Sequence, residues 1–185
     1  MIHQNNSGAG NNFAAMRDIN VNYSEPKQLS ILAEIINVLG SIIYNDIEEE
    51  EDKTDVFKIE AKILYNNVID FRPLLDEYKI FIGKLSSIYQ EFDSQGTNKT
   101  HKVLSNIRYH YLKVKAEFNA SSQGKPEIDV IRENADAIIQ KVEERLREEI
   151  NRAINITESV ETINISLLVV IIDAFIKCKI LEEPK

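Results

Sequence analysis

One cysteine, six glycines, four prolines and no tryptophan among 185 residues exclude several kinds of protein at the outset. A lone cysteine forms no internal disulfide and no CxxC pair, so neither a disulfide scaffold nor a thiolate zinc site is available. Few glycines and prolines leave no long flexible or polyproline linker. Basic residues are also short, 22 Lys and Arg against 30 Asp and Glu for a net charge of −8, which argues against a surface that tracks phosphates generally. The start, MIHQNNSGAG, lacks the basic and apolar regions of a secretory signal. The expected location is therefore the cytoplasm. What is present, 43% hydrophobic residues over this length, suffices for one domain with its own core.

Chemistry-bearing patterns are equally scarce. His3, His101 and His110 have no second His or Cys at metal-ligand spacing. Cys178 stands between two lysines, a setting that lowers a thiol pKa, yet no His or Asn constellation points to it, and it reads as a packing residue at a helix end. Gly8-Ala9-Gly10 lacks the later Gly and the Gly-Lys-Ser/Thr of a phosphate loop, and there is no GxSxG elbow. No histidine follows an Arg by four to six residues, as the helical ribonucleases of the HEPN type require. The expectation is a non-enzyme without cofactor or metal.

Periodicity divides the chain into a tail, residues 1–23, and a helical domain, 24–185. Residues 3–12, HQNNSGAGNN, bury too little to offset their ordering entropy. In Asp18-Ile19-Asn20-Val21-Asn22-Tyr23 apolar residues fall at every second position, the period of a half-buried strand. A lone strand must pair with the rest of the chain or with a second copy, or else stay unpaired. From Ser24, an N-cap with Pro26 in the first turn, Leu29, Leu32, Ile35, Ile36, Leu39, Ile42 and Ile43 predict a first helix of about 20 residues. The acidic run from Asp46 to Asp52 ends it, either as a solvated loop or as a site for a cation or basic partner.

A second helical region spans about Val56 to Phe92, interrupted before Pro73. The third helix, about Asn98 to Phe118, turns Val103, Leu104, Ile107, Tyr111 and Val114 inward. It carries Lys99, Lys102, Arg108, Lys113 and Lys115 against Glu117 alone. That basic face either docks nucleic acid or an acidic partner, or pairs with acids of the same chain. Residues 119–126 read as a loop. A fourth helix runs from Ile128 to Ile150, and a last one from about Val160 to Leu181. In the last, the apolar run Leu167–Ile172 is too short to span a membrane, and its β-branched residues leave a strand open as an alternative. The fold class that results is all-α, a bundle of about five helices with a short β-capable N-terminal segment.

The stretch Phe57-Lys58-Ile59-Glu60-Ala61-Lys62-Ile63-Leu64-Tyr65-Asn66-Asn67, then Leu75-Asp76-Glu77-Tyr78, Ile88-Tyr89 and Gly96-Thr97-Asn98-Lys99, resembles the C-terminal domain of bacterial ABC-three-component systems. The closing segment from Asp173 to Pro184 is similar to that domain's last helix, so the likeness covers about residues 55 to 184. Upstream, Gly8 to Asn20, ending in Arg17-Asp18-Ile19-Asn20, resembles a Gly/Asn-rich element that precedes effector or adaptor domains in bacterial conflict proteins. The resemblance implies a defence system against phage or plasmids, with an SMC-like or RecN-like ATPase and a small middle component as partners. In such systems the domain follows an effector, whereas here only some 30 residues separate the N-terminal element from the domain's first helix, which implies a stand-alone adaptor or a fragment. The expected function is a non-enzymatic adaptor, a homo-oligomer that docks to the ATPase assembly without membrane contact. Phe13, Ile19, Val21, Tyr23 and Phe175 are its candidate interface. A nucleic-acid sensor using the third helix's cations is the alternative.

Overall fold

The computed structural model describes residues 28–44, 56–94, 96–122 and 124–184. The β-capable segment at 18–23, the acidic run at 46–52 and the tail residues Phe13, Ile19, Val21 and Tyr23 lie outside them. Among the described residues there are eight α-helices: α1 Ile31–Ile43, α2 Val56–Asn66, α3 Arg72–Tyr78, α4 Ile82–Ser94, α5 Lys99–Ser121, α6 Glu127–Glu133, α7 Ala135–Arg152 and α8 Val160–Ile176. A 3-10 turn, Lys79–Phe81, joins α3 to α4. The class is all-α as expected, but the count of five falls short for two local reasons.

The second helical region breaks before Pro73 as expected and a second time at the 3-10 turn Lys79–Phe81, which makes three helices of it. Asn67 adopts a left-handed conformation with φ 56°, which ends α2, and Pro73 opens α3 in its first turn. The expected fourth helix breaks at Asn134 (φ −128°, ψ 19°), whose amide donates to the Val130 carbonyl at 2.7 Å. Asn competes for backbone groups in this way wherever a helix is interrupted. The first helix also starts later than the Ser24 cap implies. Ser30 caps it, its Oγ accepting from Ala33 N at 3.3 Å, so Leu29 lies outside the helix and is 75% exposed.

Helix α8 is the axis of the core, with Leu167 and every residue from Val169 to Phe175 buried. It packs against α1, α3, α4 and α7, while α5 lies against α7. The β-branched run is helical, which closes the strand alternative. Helix periodicity fits it because its surroundings are apolar on nearly every side. Close approach of α1 to α8 is permitted by Gly40, where a Cβ would stand 2.3 Å from Thr162 Cγ2.

Both ends of the described chain are fastened by polar groups. At the start, Gln28 forms a single parallel β-bridge with Ala153: Gln28 N–H donates to Arg152 O at 3.2 Å and Ile154 N–H to Gln28 O at 3.0 Å. The Asn155 side chain continues this pairing, accepting from Ser30 N at 3.0 Å and donating to Ser30 O at 2.9 Å. At the other end, Cys178 and Leu181 take positive φ values of 55° and 61°, turning the chain back so that Ile180 and Leu181 re-enter the core. Lys62, only 3% exposed, donates to the carbonyls of Phe175 and Ile180. Burial pulls its pKa down, with Cys178 and Glu183 opposing.

Candidate functional site

An open groove of about 890 Å³ runs along α5 and α7, with Gln28, Leu29 and Ser30 at one end. Helix α5 contributes positions from Asn106 to Glu117 and α7 positions from Arg145 to Arg152. Its ionic lining is balanced, with Lys113, Arg145 and Arg152 against Glu117, Glu148 and Glu149. Arg145 and Glu117 pair directly across the groove, and Lys141 reaches Glu117 at 3.1 Å.

Glu149 organises the inner wall. Its carboxylate accepts from Asn106 Nδ2 at 2.6 Å and from Ser30 Oγ at 3.2 Å, and His110 Nε2 stands 3.6 Å away. The facing His110 ring, against the opposing effect of burial and with help from Asn106 and Ser30, holds this carboxyl below its usual value. One side chain thus ties α7 to α5 and to the cap of α1. His110 Nδ1 has no hydrogen-bond partner among the described residues.

A second polar cluster secures the C-terminal segment. Tyr111 OH donates to Glu182 Oε1 at 2.7 Å, and Lys115 Nζ lies 3.3 Å from the same oxygen and 2.9 Å from Glu127 Oε1. Burial, then the Glu182 carboxylate, push the Tyr111 hydroxyl well above its ordinary value. Burial pushes Glu182 up, but Tyr111 and Lys115 outweigh it and hold that carboxyl low.

The five cations proposed for α5 are not brought together. At roughly 100° per residue, Lys99, Lys102 and Lys113 lie on one flank of the buried stripe and Arg108 and Lys115 on the other. Lys99 meets Glu34 at 2.6 Å and stacks 4.8 Å from the Phe92 ring. Arg108 lies over Tyr111 and Lys113 over Tyr109, at 4.9 and 4.7 Å. Lys102 is exposed. Lys99 and Lys115 therefore pair with acids of their own chain. Phe175, named as an interface residue, is fully buried and packs edge-on to Phe71 with ring centroids 6.4 Å apart. Its side chain offers no surface for docking, because α8 is surrounded.

Sequence reasoning missed Ser30, Asn106, Glu149 and Asn155, which fasten the start of the described chain and tie α5 to α7. Only the Ser30 cap carried a local signal, and it was masked by the equally good cap at Ser24.

The described residues define an all-α domain built round one apolar helix, with the buried polar groups of Ser30, Lys62 and Asn66 holding the two ends of the described chain. Residues 30–182 match the family model of C-terminal domain 10 of the ABC-three component (ABC-3C) systems, and the chain belongs to that family. The matched stretch opens at the Ser30 cap and closes at Glu182, so it begins upstream of the likeness read from about residue 55. The Gly/Asn-rich element at residues 8–20 lies outside it. No curated protein and no solved structure matches the chain. Among the described residues, no helix is long and apolar enough to cross a membrane.

Proposed function

We propose that this protein is a non-enzymatic adaptor of a cytoplasmic ABC-three-component system acting in antiviral defence. It self-associates and docks to an SMC-like ATPase complex with its small middle component. The observation that carries this reading is the α5–α7 groove: a long, open, charge-balanced surface on a domain of this family. A groove bearing both signs of charge suits a protein surface of mixed charge, which it orients by complementary pairs rather than by bulk attraction. A nucleic-acid sensor draws no comparable support, since the α5 cations are divided between two flanks and two of them are neutralised within the chain.

The test is affinity purification of the full chain from its native cell, with mass spectrometry of what comes with it and light scattering of the purified protein. The expected result is an SMC-like ATPase in the eluate, a solution mass that is a multiple of 21.2 kDa, and loss of the ATPase with Glu148→Lys on the groove wall. Recovery of the chain alone as a monomer overturns the proposal.

A further inference from the structure

Helix α5, with 23 residues the longest of those described, presents two contrasting faces. Val103, Ile107, Tyr111 and Val114 are buried. On the opposite side, Ser105, Tyr109, Leu112 and Ala116 fall within about 60° of one another at the helical turn of roughly 100° per residue. All four are exposed, Tyr109 at 52% and Leu112 at 43%. Helices α1, α4, α6 and α7 pack against α5, and the outward row stays open among the described residues.

The row steps by four, three and four residues, the spacing of a and d positions in a heptad, and runs about 16 Å along the helix. Small residues at its ends and Tyr and Leu in its middle offer the knobs and holes that a second helix fills. In the same frame Arg108 and Lys113 take flanking g and e positions, and Lys102 stands at the preceding a position. These three cations form no ion pair among the described residues, in contrast to Lys99 and Lys115. A chain of net charge −8 thus keeps three uncompensated cations beside an exposed apolar row.

We propose that this outward face of α5 docks an amphipathic helix of a partner protein, which packs an apolar stripe on Tyr109 and Leu112 and sets acidic side chains against Lys102, Arg108 and Lys113. Charge complementarity selects this occupant. A second copy of α5, parallel or antiparallel, would set cations against cations. A phosphate chain would use the cations but not the Leu112 that stands between them. The face borders the α5–α7 groove at Lys113 and Ala116, yet its occupant is independent of the adaptor reading, needing neither the ATPase nor self-association.

Fluorescence anisotropy with the full chain tests it. The probes are a labelled four-heptad peptide with Leu at a and d and Glu at e and g, its twin with Lys at e and g, and a single-stranded oligonucleotide. The Glu peptide should bind about tenfold or more tighter than either other probe, with the advantage shrinking as salt rises. Lys102→Glu/Arg108→Glu/Lys113→Glu should exchange the order of the two peptides, and Tyr109→Asp/Leu112→Asp should lose both. The exchange separates a changed surface from a lost fold, because an unfolded chain has no preference to reverse. Equal affinity for the two peptides, no binding of the Glu peptide, or preference for the oligonucleotide overturns the proposal. So does a solution mass that halves in the Tyr109→Asp/Leu112→Asp chain, which assigns the face to a second copy.

Discussion

Asn66 and Glu182 hold each other by two hydrogen bonds that imitate a strand pair. Asn66 Nδ2 donates to the Glu182 carbonyl at 2.8 Å, and the Glu182 N–H donates to Asn66 Oδ1 at 3.0 Å. Asn66 is fully buried at the end of α2, so it satisfies the backbone of a returning C-terminal segment where water does not reach.

Replacing Asn66 by Ala leaves two backbone groups of Glu182 unpaired. The expected loss is about 2–3 kcal/mol, read as a lower urea midpoint. Asn66→Asp keeps the acceptor but sets a carboxylate against two carbonyls, those of Lys62 and Glu182, and should be at least as damaging.

Gly40→Ala sets two effects against each other. An alanine gains up to about 1 kcal/mol of helix propensity, but its Cβ would fall 2.3 Å from Thr162 Cγ2, an overlap that costs about 1–3 kcal/mol. Net destabilisation is expected by thermal unfolding. Thr162→Ser, which removes that methyl and keeps the hydroxyl beside Ser159, should restore part of it in the double variant.

Asp136 anchors the turn between α2 and α3, its carboxylate accepting from Ile69 N at 3.0 Å and Phe71 N at 2.9 Å. Asp136→Ala should cost about 1–3 kcal/mol and accelerate hydrogen exchange at those two amides first. Asp136→Asn retains one acceptor oxygen and should protect one amide better than the other.

Glu149 and Glu182 both titrate below their usual value of 4.5 when folded. A carboxyl with a depressed folded pKa stabilises the fold above its unfolded pKa, and that contribution disappears as the pH falls through the folded value. Stability should therefore decline with acid below about pH 4.5, by chemical denaturation at stepped pH. Glu149→Gln should make the decline shallower while lowering stability at neutral pH.

Much of the fold was legible where a single face repeats without interruption. The inward set of α5 placed Val103, Ile107, Tyr111 and Val114 in the core, where they are buried, with Leu104 at its edge. The break between α2 and α3 was legible from Pro73, whereas the division of α6 from α7 was not, because it turns on Asn134, whose side chain ends a helix without the Gly or Pro that marks a break. The groove was hidden for another reason. Asn106 and Glu149 stand 43 residues apart, and nothing local to either announces the other. Phe175 was misplaced because an apolar helix has the same composition whether its neighbours belong to its own chain or to another.

The bridge between Gln28 and Ala153 also fixes where mechanical load enters this domain. Tension on the chain upstream of Gln28 is not borne by α1 alone, since two backbone hydrogen bonds and the Asn155 side chain pass it to the connection between α7 and α8. Whatever pulls on the N-terminal side therefore strains the joint of the central helix, 125 residues along the sequence from Ser30.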